Sequence, residues 1–356
     1  MNEILQSIPM VAVTVLAFGL LIVIHELGHY LAARWSGMRV ERFSVGFGPV
    51  VWSRKRGDTE WAVSAIPLGG YVKIAGMAPG EDLAPGDTGT YSAKPAWKRF
   101  LVILAGPAMN YLLAIVMAIG LIATMGLREP DQSAVVGDVI PGGAAARAGL
   151  RAGDRVVAAA GAPIADWKEL VQAVRSHPGQ DLPLSVARAG AAAGASPEAL
   201  LLHPDDAGGI GKAGIAPNLR AVRAGLLESI AMGVRRTNDK AGEILGGLGQ
   251  IVTRKQKAEL QGPLGIAQEM TRSARAGAAP FLMMVWLISI MLAIFNFLPL
   301  PALDGGRLIF LVYEMVVRRP VNQRVEAVIH TVGFVLLFGL LIGVTLFGDL
   351  PRLFRR

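Results

Sequence analysis

Apolar positions gather into four long runs, at about residues 8–33, 100–127, 280–299 and 327–347. Each meets the roughly 20 mostly apolar residues that a helix needs to cross a bilayer. Between the second and third runs the pattern changes. Residues 134–140 and 182–187 read as short strands and 167–175 as an amphipathic helix, with turns at Gly142-Gly143 and Gly161-Ala162-Pro163. The pattern therefore predicts an α-helical polytopic membrane protein of four spans with a small α/β domain inserted. Residues 221–260 are helical by composition, with Arg235, Arg236, Lys240, Arg254, Lys255 and Lys257 among apolar residues. They suit an amphipathic helix on the membrane surface or a solvated connector.

Composition agrees with this pattern. Of 356 residues, 53% are apolar and 17% charged, against about 25% charged in a soluble domain, and the mean hydropathy is +0.46. These values exclude a disordered chain and an ordinary soluble enzyme. The absence of cysteine excludes disulfides, thiolate zinc sites and cysteine nucleophiles. Any metal must rest on carboxylates and on five histidines: His25, His29, His177, His203 and His330. The net charge of +8 is explained by basic residues flanking the spans beside the lipid bilayer, so no nucleic-acid partner is expected.

Residues 1–10 hold no Lys or Arg, so the first run lacks the basic start of a signal peptide and reads as an uncleaved span. The 30–99 connection carries ten basic residues (Arg34, Arg39, Arg42, Arg54, Lys55, Arg56, Lys73, Lys94, Lys98 and Arg99), and 304–326 carries four. Positive-inside logic puts both in the cytoplasm and both termini outside; Arg352, Arg355 and Arg356 in the tail run against it. The expected division is a first span over 1–33, a cytoplasmic segment over 34–99, a second span over 100–127, an external domain over 128–211 and a connector over 212–279. A third span over 280–306, a cytoplasmic loop over 307–326, and a last span with the tail over 327–356 complete it.

The first run is interrupted by His25-Glu26-Leu27-Gly28-His29. Positions i and i+4 share a helical face, so this H-E-x-x-H spacing lets both imidazoles reach one Zn²⁺, with the glutamate placed to take a proton from water. Each Glu or His within a span costs about 2–3 kcal/mol or more unless it meets a polar interior, so such residues are functional by default. Catalytic zinc usually takes three protein ligands. Two residues compete for the third position. His330 is the only other histidine near a span. Asp304 follows Asn296 in Asn296-Phe297-Leu298-Pro299-Leu300-Pro301-Ala302-Leu303-Asp304-Gly305-Gly306 and is better placed, because the third run ends on the same side as His25. Pro299 and Pro301 predict unwound backbone there. In the insert, Gly149-Leu150-Arg151-Ala152-Gly153-Asp154-Arg155-Val156, followed by Gly161, resembles the PDZ pattern, and PDZ domains accept a peptide as an added strand.

Taken together, 25–29 and 296–306 resemble the motifs of the site-2 protease family of intramembrane zinc metalloproteases. Supporting matches are Arg42-Phe43-Ser44-Val45-Gly46-Phe47-Gly48, Ile66-Pro67-Leu68-Gly69-Gly70-Tyr71-Val72-Lys73, Ala105-Gly106-Pro107-Ala108-Met109-Asn110 and Gly262-Pro263-Leu264-Gly265-Ile266-Ala267. The resemblance implies that His25, His29 and Asp304 bind Zn²⁺, that Glu26 is the catalytic base and that Asn296 helps hold substrate. It implies a membrane-dipping β-loop around 46–72 that pairs with an extended substrate. It also implies an enzyme of the bacterial inner membrane, acting near its cytoplasmic side on single-pass transmembrane proteins such as anti-sigma factors or signal-peptide remnants, after a first external cut. A peptide terminus at the PDZ-like domain is the second expected partner. The insert has room for one such domain, where a well-known relative has two, and Arg307 stands where relatives often carry histidine. A non-catalytic membrane receptor or chaperone is the competing reading; a degenerate motif would favour it, and here all four chemical residues are present.

Overall fold

The computed structural model describes residues 2–351 apart from 79, 82–83, 85, 131–132, 192–194, 223–224 and 254–261. Arg254, Lys255, Lys257, Arg352, Arg355 and Arg356 lie outside the described residues. The chain divides into two compact units, Met1–Thr124 with Gly225–Arg356, and Met125–Ala224.

The first unit opens with helix α1 (Asn2–Trp35), followed by strands β1 (Val40–Arg56) and β2 (Thr59–Ile74) and helix α2 (Ala96–Met125). Both strands fold over at mid-length. Phe43 pairs with Val72 on one side and with Trp61 on the other, and Val45 pairs with both Gly70 and Val63. Two long strands thereby make a four-layered ribbon, with residues 70–73 at one edge and 50–56 at the other. The fold-over depends on Gly46, whose φ of +90° suits glycine and whose hydrogen leaves room beside the Ile66 carbonyl, 2.7 Å from where a Cβ would stand. Ala33, Met38, Val40, Ile74 and Val102 form the apolar seam joining α1, the ribbon and α2.

The second unit begins with β3 (Leu127–Pro130), β4 (Val136–Val139), α3 (Ala144–Arg147), β5 (Arg155–Ala159), β6 (Ala162–Pro163) and α4 (Trp167–Arg175). It continues through β7 (Leu182–Ala187), β8 (Glu198–Leu202), β9 (Asp205–Asp206), β10 (Gly211–Lys212), β11 (Ile215–Pro217) and β12 (Leu219–Val222). Its main sheet runs β6-β5-β7-β8. The core is Val156, Leu170, Leu182, Leu184, Val186 and Leu202 with their neighbours. The unit runs past the expected boundary at 211, because β11 returns to pair with β4 and β12 with β3. Ala221 and Val222 are strand, where composition suggested helix; cross-strand pairing overrides a weak helical preference. Asp154, 1% exposed, accepts the Arg151 N–H (2.8 Å) and the Arg188 guanidinium (2.6 Å), closing the Gly149–Asp154 turn onto β7. The Glu198 and Asp154 carboxylates hold the Arg188 guanidinium above its ordinary range.

The chain then returns to the first unit through α5 (Leu226–Val252), α6 (Pro263–Ala276), α7 (Ala278–Phe297), α8 (Asp304–Val317) and α9 (Gln323–Val344), which ends in a π turn at Thr345–Asp349. Among the described residues, four helical segments are long and apolar enough to cross a membrane: Pro9–Trp35, Ala96–Met125, Ala278–Phe297 and Arg324–Asp349. The protein is a polytopic membrane protein. Helix α5 packs on α2 and α7: the Trp286 indole N–H donates to Thr237 Oγ1 (3.2 Å), and the Tyr111 hydroxyl to Asn238 Oδ1 (2.7 Å). Ala114, Ala118, Ala241 and Ile290 fill the space between. The buried Asp349 carboxylate accepts the N–H groups of Gly262 (3.0 Å) and Gly265 (2.9 Å), capping the first turn of α6.

Candidate metal centre

Helix α1 runs unbroken through 25–29, so His25 and His29 stand one turn apart with their rings 4.8 Å between centroids. Helix α7 ends at Phe297, and after six intervening residues α8 begins with Asp304. Three features set that turn. Pro299 and Pro301 cannot donate to a helix. Ala302 adopts φ 77°. Gly305 packs so tightly that a Cβ would stand 2.0 Å from the Leu298 carbonyl oxygen. The carboxylate thus lies in the first turn of a helix, where the dipole favours negative charge.

These elements bring three atoms to one point. Asp304 Oδ2 lies 3.1 Å from His25 Nε2 and 3.3 Å from His29 Nε2, and the two imidazole nitrogens are 3.1 Å apart. Ligands about 2.0–2.1 Å from a common ion at tetrahedral corners are about 3.3 Å from one another. The triangle matches that spacing. Asp304 Oδ2 is buried and finds no protein hydrogen-bond donor apart from the neighbouring imidazoles, as a carboxylate oxygen shaped for a cation would be. Among the described residues this is the one group of three or more His, Asp or Glu side chains able to share an ion.

The surroundings orient the ligand atoms. His29 Nδ1 donates to the Val102 carbonyl of α2 at 2.8 Å; a carbonyl only accepts, so Nδ1 carries the proton and Nε2 keeps its lone pair for a metal. Helix α2 comes this close because Gly28 and Gly106 face each other's helices. A Cβ on Gly28 would stand 2.2 Å from the Ala105 oxygen, and one on Gly106 2.3 Å from His29 Nε2. Asn110, fully buried on α2, puts its amide nitrogen 3.4 Å from His25 Nδ1, while its Oδ1 has no partner.

Glu26 turns toward the ribbon, where the Val72 backbone N–H donates to its carboxylate. Gly70 permits this approach, since a Cβ there would lie 3.3 Å from Glu26 Cγ. Gly70 and Val72 of the ribbon edge therefore lie against the helix that carries His25 and His29. Asn296, in the last turn of α7, is half-buried. His330 is not in the cluster. Its Nδ1 accepts the Ala302 N–H at 3.1 Å, which supports the turn carrying Asp304.

Sequence reasoning named the three clustered residues, Glu26 and the 46–72 loop, but missed the Val102 carbonyl, the closeness of Gly70 and Val72 to Glu26 and the contact of Asn110 with His25. Only Asn110 carried a signal, as a polar side chain inside an apolar run.

Two histidines on a helix apolar enough to cross a membrane, meeting an aspartate from the turn after another and followed by a neighbouring glutamate, form the donor set of a zinc hydrolase. The sequence profile of Peptidase family M50 matches residues 13–340. The zinc metalloprotease RasP of Geobacillus kaustophilus is 32% identical over 96% of this chain and 97% of its own. RasP of Bacillus licheniformis is 29% identical over 96% and 98%. The regulator of sigma-E protease RseP of Salmonella typhimurium is 32% identical over 96% and 98%. The chain belongs to Peptidase family M50, the site-2 proteases, and is a zinc metalloprotease.

Proposed function

We propose that this protein cleaves single-pass transmembrane proteins within the bacterial inner membrane, at a zinc ion held by His25, His29 and Asp304. The observation that carries this reading is the triangle of ligand atoms, 3.1–3.3 Å on a side, whose two histidines stand beside Glu26 on a helix apolar enough to cross the membrane. Zinc held by His25, His29 and Asp304 would supply Lewis acidity there, polarising a scissile carbonyl and lowering the pKa of the attacking water to about 7. Glu26 takes that water's proton and returns it to the leaving amine, with the Val72 N–H fixing the carboxylate. A helical substrate hides its scissile carbonyl and must extend before it is cut. Edge 70–73 has no further strand beside it among the described residues and suits an added strand, and Asn296, at the break after α7, holds the substrate backbone. The exposed Phe47, Val50, Val51 and Trp52 give the ribbon an apolar tip suited to entering the bilayer.

Both termini lie outside and the site lies toward the cytoplasm in this reading, following the basic connections at 30–99 and 304–326. The unit spliced between α2 and α5 is a PDZ-like module that receives a peptide terminus, restricting substrates to those trimmed by an earlier external cut. The deciding experiment is proteomics of membrane fractions from cells carrying the wild-type chain or Glu26→Gln. Single-pass fragments should accumulate with the variant; identical fragment pools would overturn the proposal.

A further inference from the structure

We infer that Asn110 is a positioning residue for the metal: its side-chain oxygen holds His25 in the tautomer that leaves Nε2 free to bind zinc. The inference rests on the proposed ligand set and extends it to a residue that touches neither metal nor substrate.

His29 and His25 face the same requirement and meet it from the same helix. A histidine that ligates through Nε2 carries its proton on Nδ1, and that N–H needs an acceptor. For His29 the acceptor is the Val102 carbonyl, 2.8 Å away. For His25, the one side chain among the described residues within hydrogen-bond reach of Nδ1 is the amide of Asn110, at 3.4 Å. In the structure that amide presents its nitrogen, a donor, and leaves Oδ1 buried with no partner. An Nδ2–H donated to Nδ1 puts the imidazole proton on Nε2, the atom 3.1 Å from Asp304 Oδ2. That arrangement suits a site without metal and blocks ligation. A half-turn of the amide about its last bond exchanges nitrogen and oxygen. Oδ1 then accepts from Nδ1–H, the orphaned acceptor is satisfied, and the Nε2 lone pair turns to the ligand triangle. One rotation thus gives the buried oxygen a donor and supplies the missing orientation of His25, with the amide nitrogen taking the place that Oδ1 held.

The position of Asn110 is itself secured. Its side chain is fully buried, and the Ser289 hydroxyl of α7 donates to its backbone carbonyl at 2.8 Å. The residue therefore lies where α1, α2 and α7 meet, four residues along α2 from Gly106.

The test is zinc affinity of the full-length chain in detergent, by competition with a chelator of known affinity and without any substrate. Asn110→Leu keeps the volume and removes the acceptor; it should weaken zinc binding about 10–100-fold. Asn110→Asp presents an acceptor in either rotamer and should bind within a few-fold of wild type. In a His25→Ala background, which itself loses tight binding, Asn110→Leu should cost nothing further, because the two residues act as one unit. Wild-type affinity in Asn110→Leu overturns the inference while leaving the ligand set standing. Wild-type affinity in His25→Ala overturns the ligand set and with it this role. If Asn110→Leu fails to fold, Asn110→Asp decides: a tenfold or greater loss of zinc there overturns the inference. A merely structural role for the amide would weaken both variants alike.

Discussion

His330 Nδ1 accepts the backbone N–H of Ala302 at 3.1 Å, so the histidine that rivals Asp304 for the metal is committed to the turn that presents Asp304. The helix is moulded to that turn a residue triplet further on, where a Cβ on Gly333 would stand 2.2 Å from that of Pro301. The two candidates therefore part in their effects. Asp304→Ala should lose zinc from the purified protein, and His330→Ala should keep close to one ion per chain. Metal analysis of both variants checks this; the reverse pattern moves the third ligand to His330.

Replacing Glu26 by Gln should leave zinc content and thermal stability near wild type and reduce cleavage by about 10²–10⁴-fold, since an amide cannot take a proton from water. Both imidazoles and the Asp304 carboxylate are untouched by the change. Turnover of a transmembrane peptide in detergent measures it. Near-normal turnover would remove Glu26 from the role of base.

Gly106 has no room for even a methyl group. A Cβ would stand 2.3 Å from His29 Nε2 and 2.9 Å from His25 Cε1. Gly106→Ala should displace the imidazoles or push α2 outward, and a misplacement of about 1 Å is enough for a hundredfold loss of rate. Zinc occupancy should fall with activity. A variant with full zinc and full activity would show that the two helices separate freely at this point.

Asp154 tests the inserted unit separately from the metal. Removing its carboxylate leaves Arg188 without its buried partner and the Arg151 N–H without an acceptor. Arg188 keeps its Glu198 partner, so the loss falls on the Gly149–Asp154 turn, which both contacts of Asp154 close. Asp154→Ala in the full chain should therefore loosen amide-exchange protection across β5 and β7 while zinc content stays at the wild-type level. Unchanged exchange in those strands would show that the turn closes without the ion pair.

Much of this protein is readable from local pattern. A span must be apolar for about 20 residues because the bilayer offers no partner for polar groups, so the four runs are visible without any tertiary information. His25, Glu26 and His29 are equally visible, since a spacing of four residues places two ligands on one face of any helix. The break between α7 and α8 was legible in Pro299 and Pro301, which cannot continue a helix wherever they occur. What the tertiary structure decided was which distant groups meet. Asp304 and His330 are both compatible with zinc chemistry, and only the docking of α9 against the Ala302 turn separates them. Asn110 reads as one polar interruption until Gly28 and Gly106 bring α2 against α1. The ribbon looks like one hairpin in sequence, yet fold-over at Gly46 puts residues 70–73 beside Glu26. Strands β11 and β12 join the inserted unit through partners some eighty to ninety residues earlier. Local propensity acts over a few residues, whereas these contacts depend on close packing between elements far apart in the chain, where a single Cβ decides whether two backbones can touch.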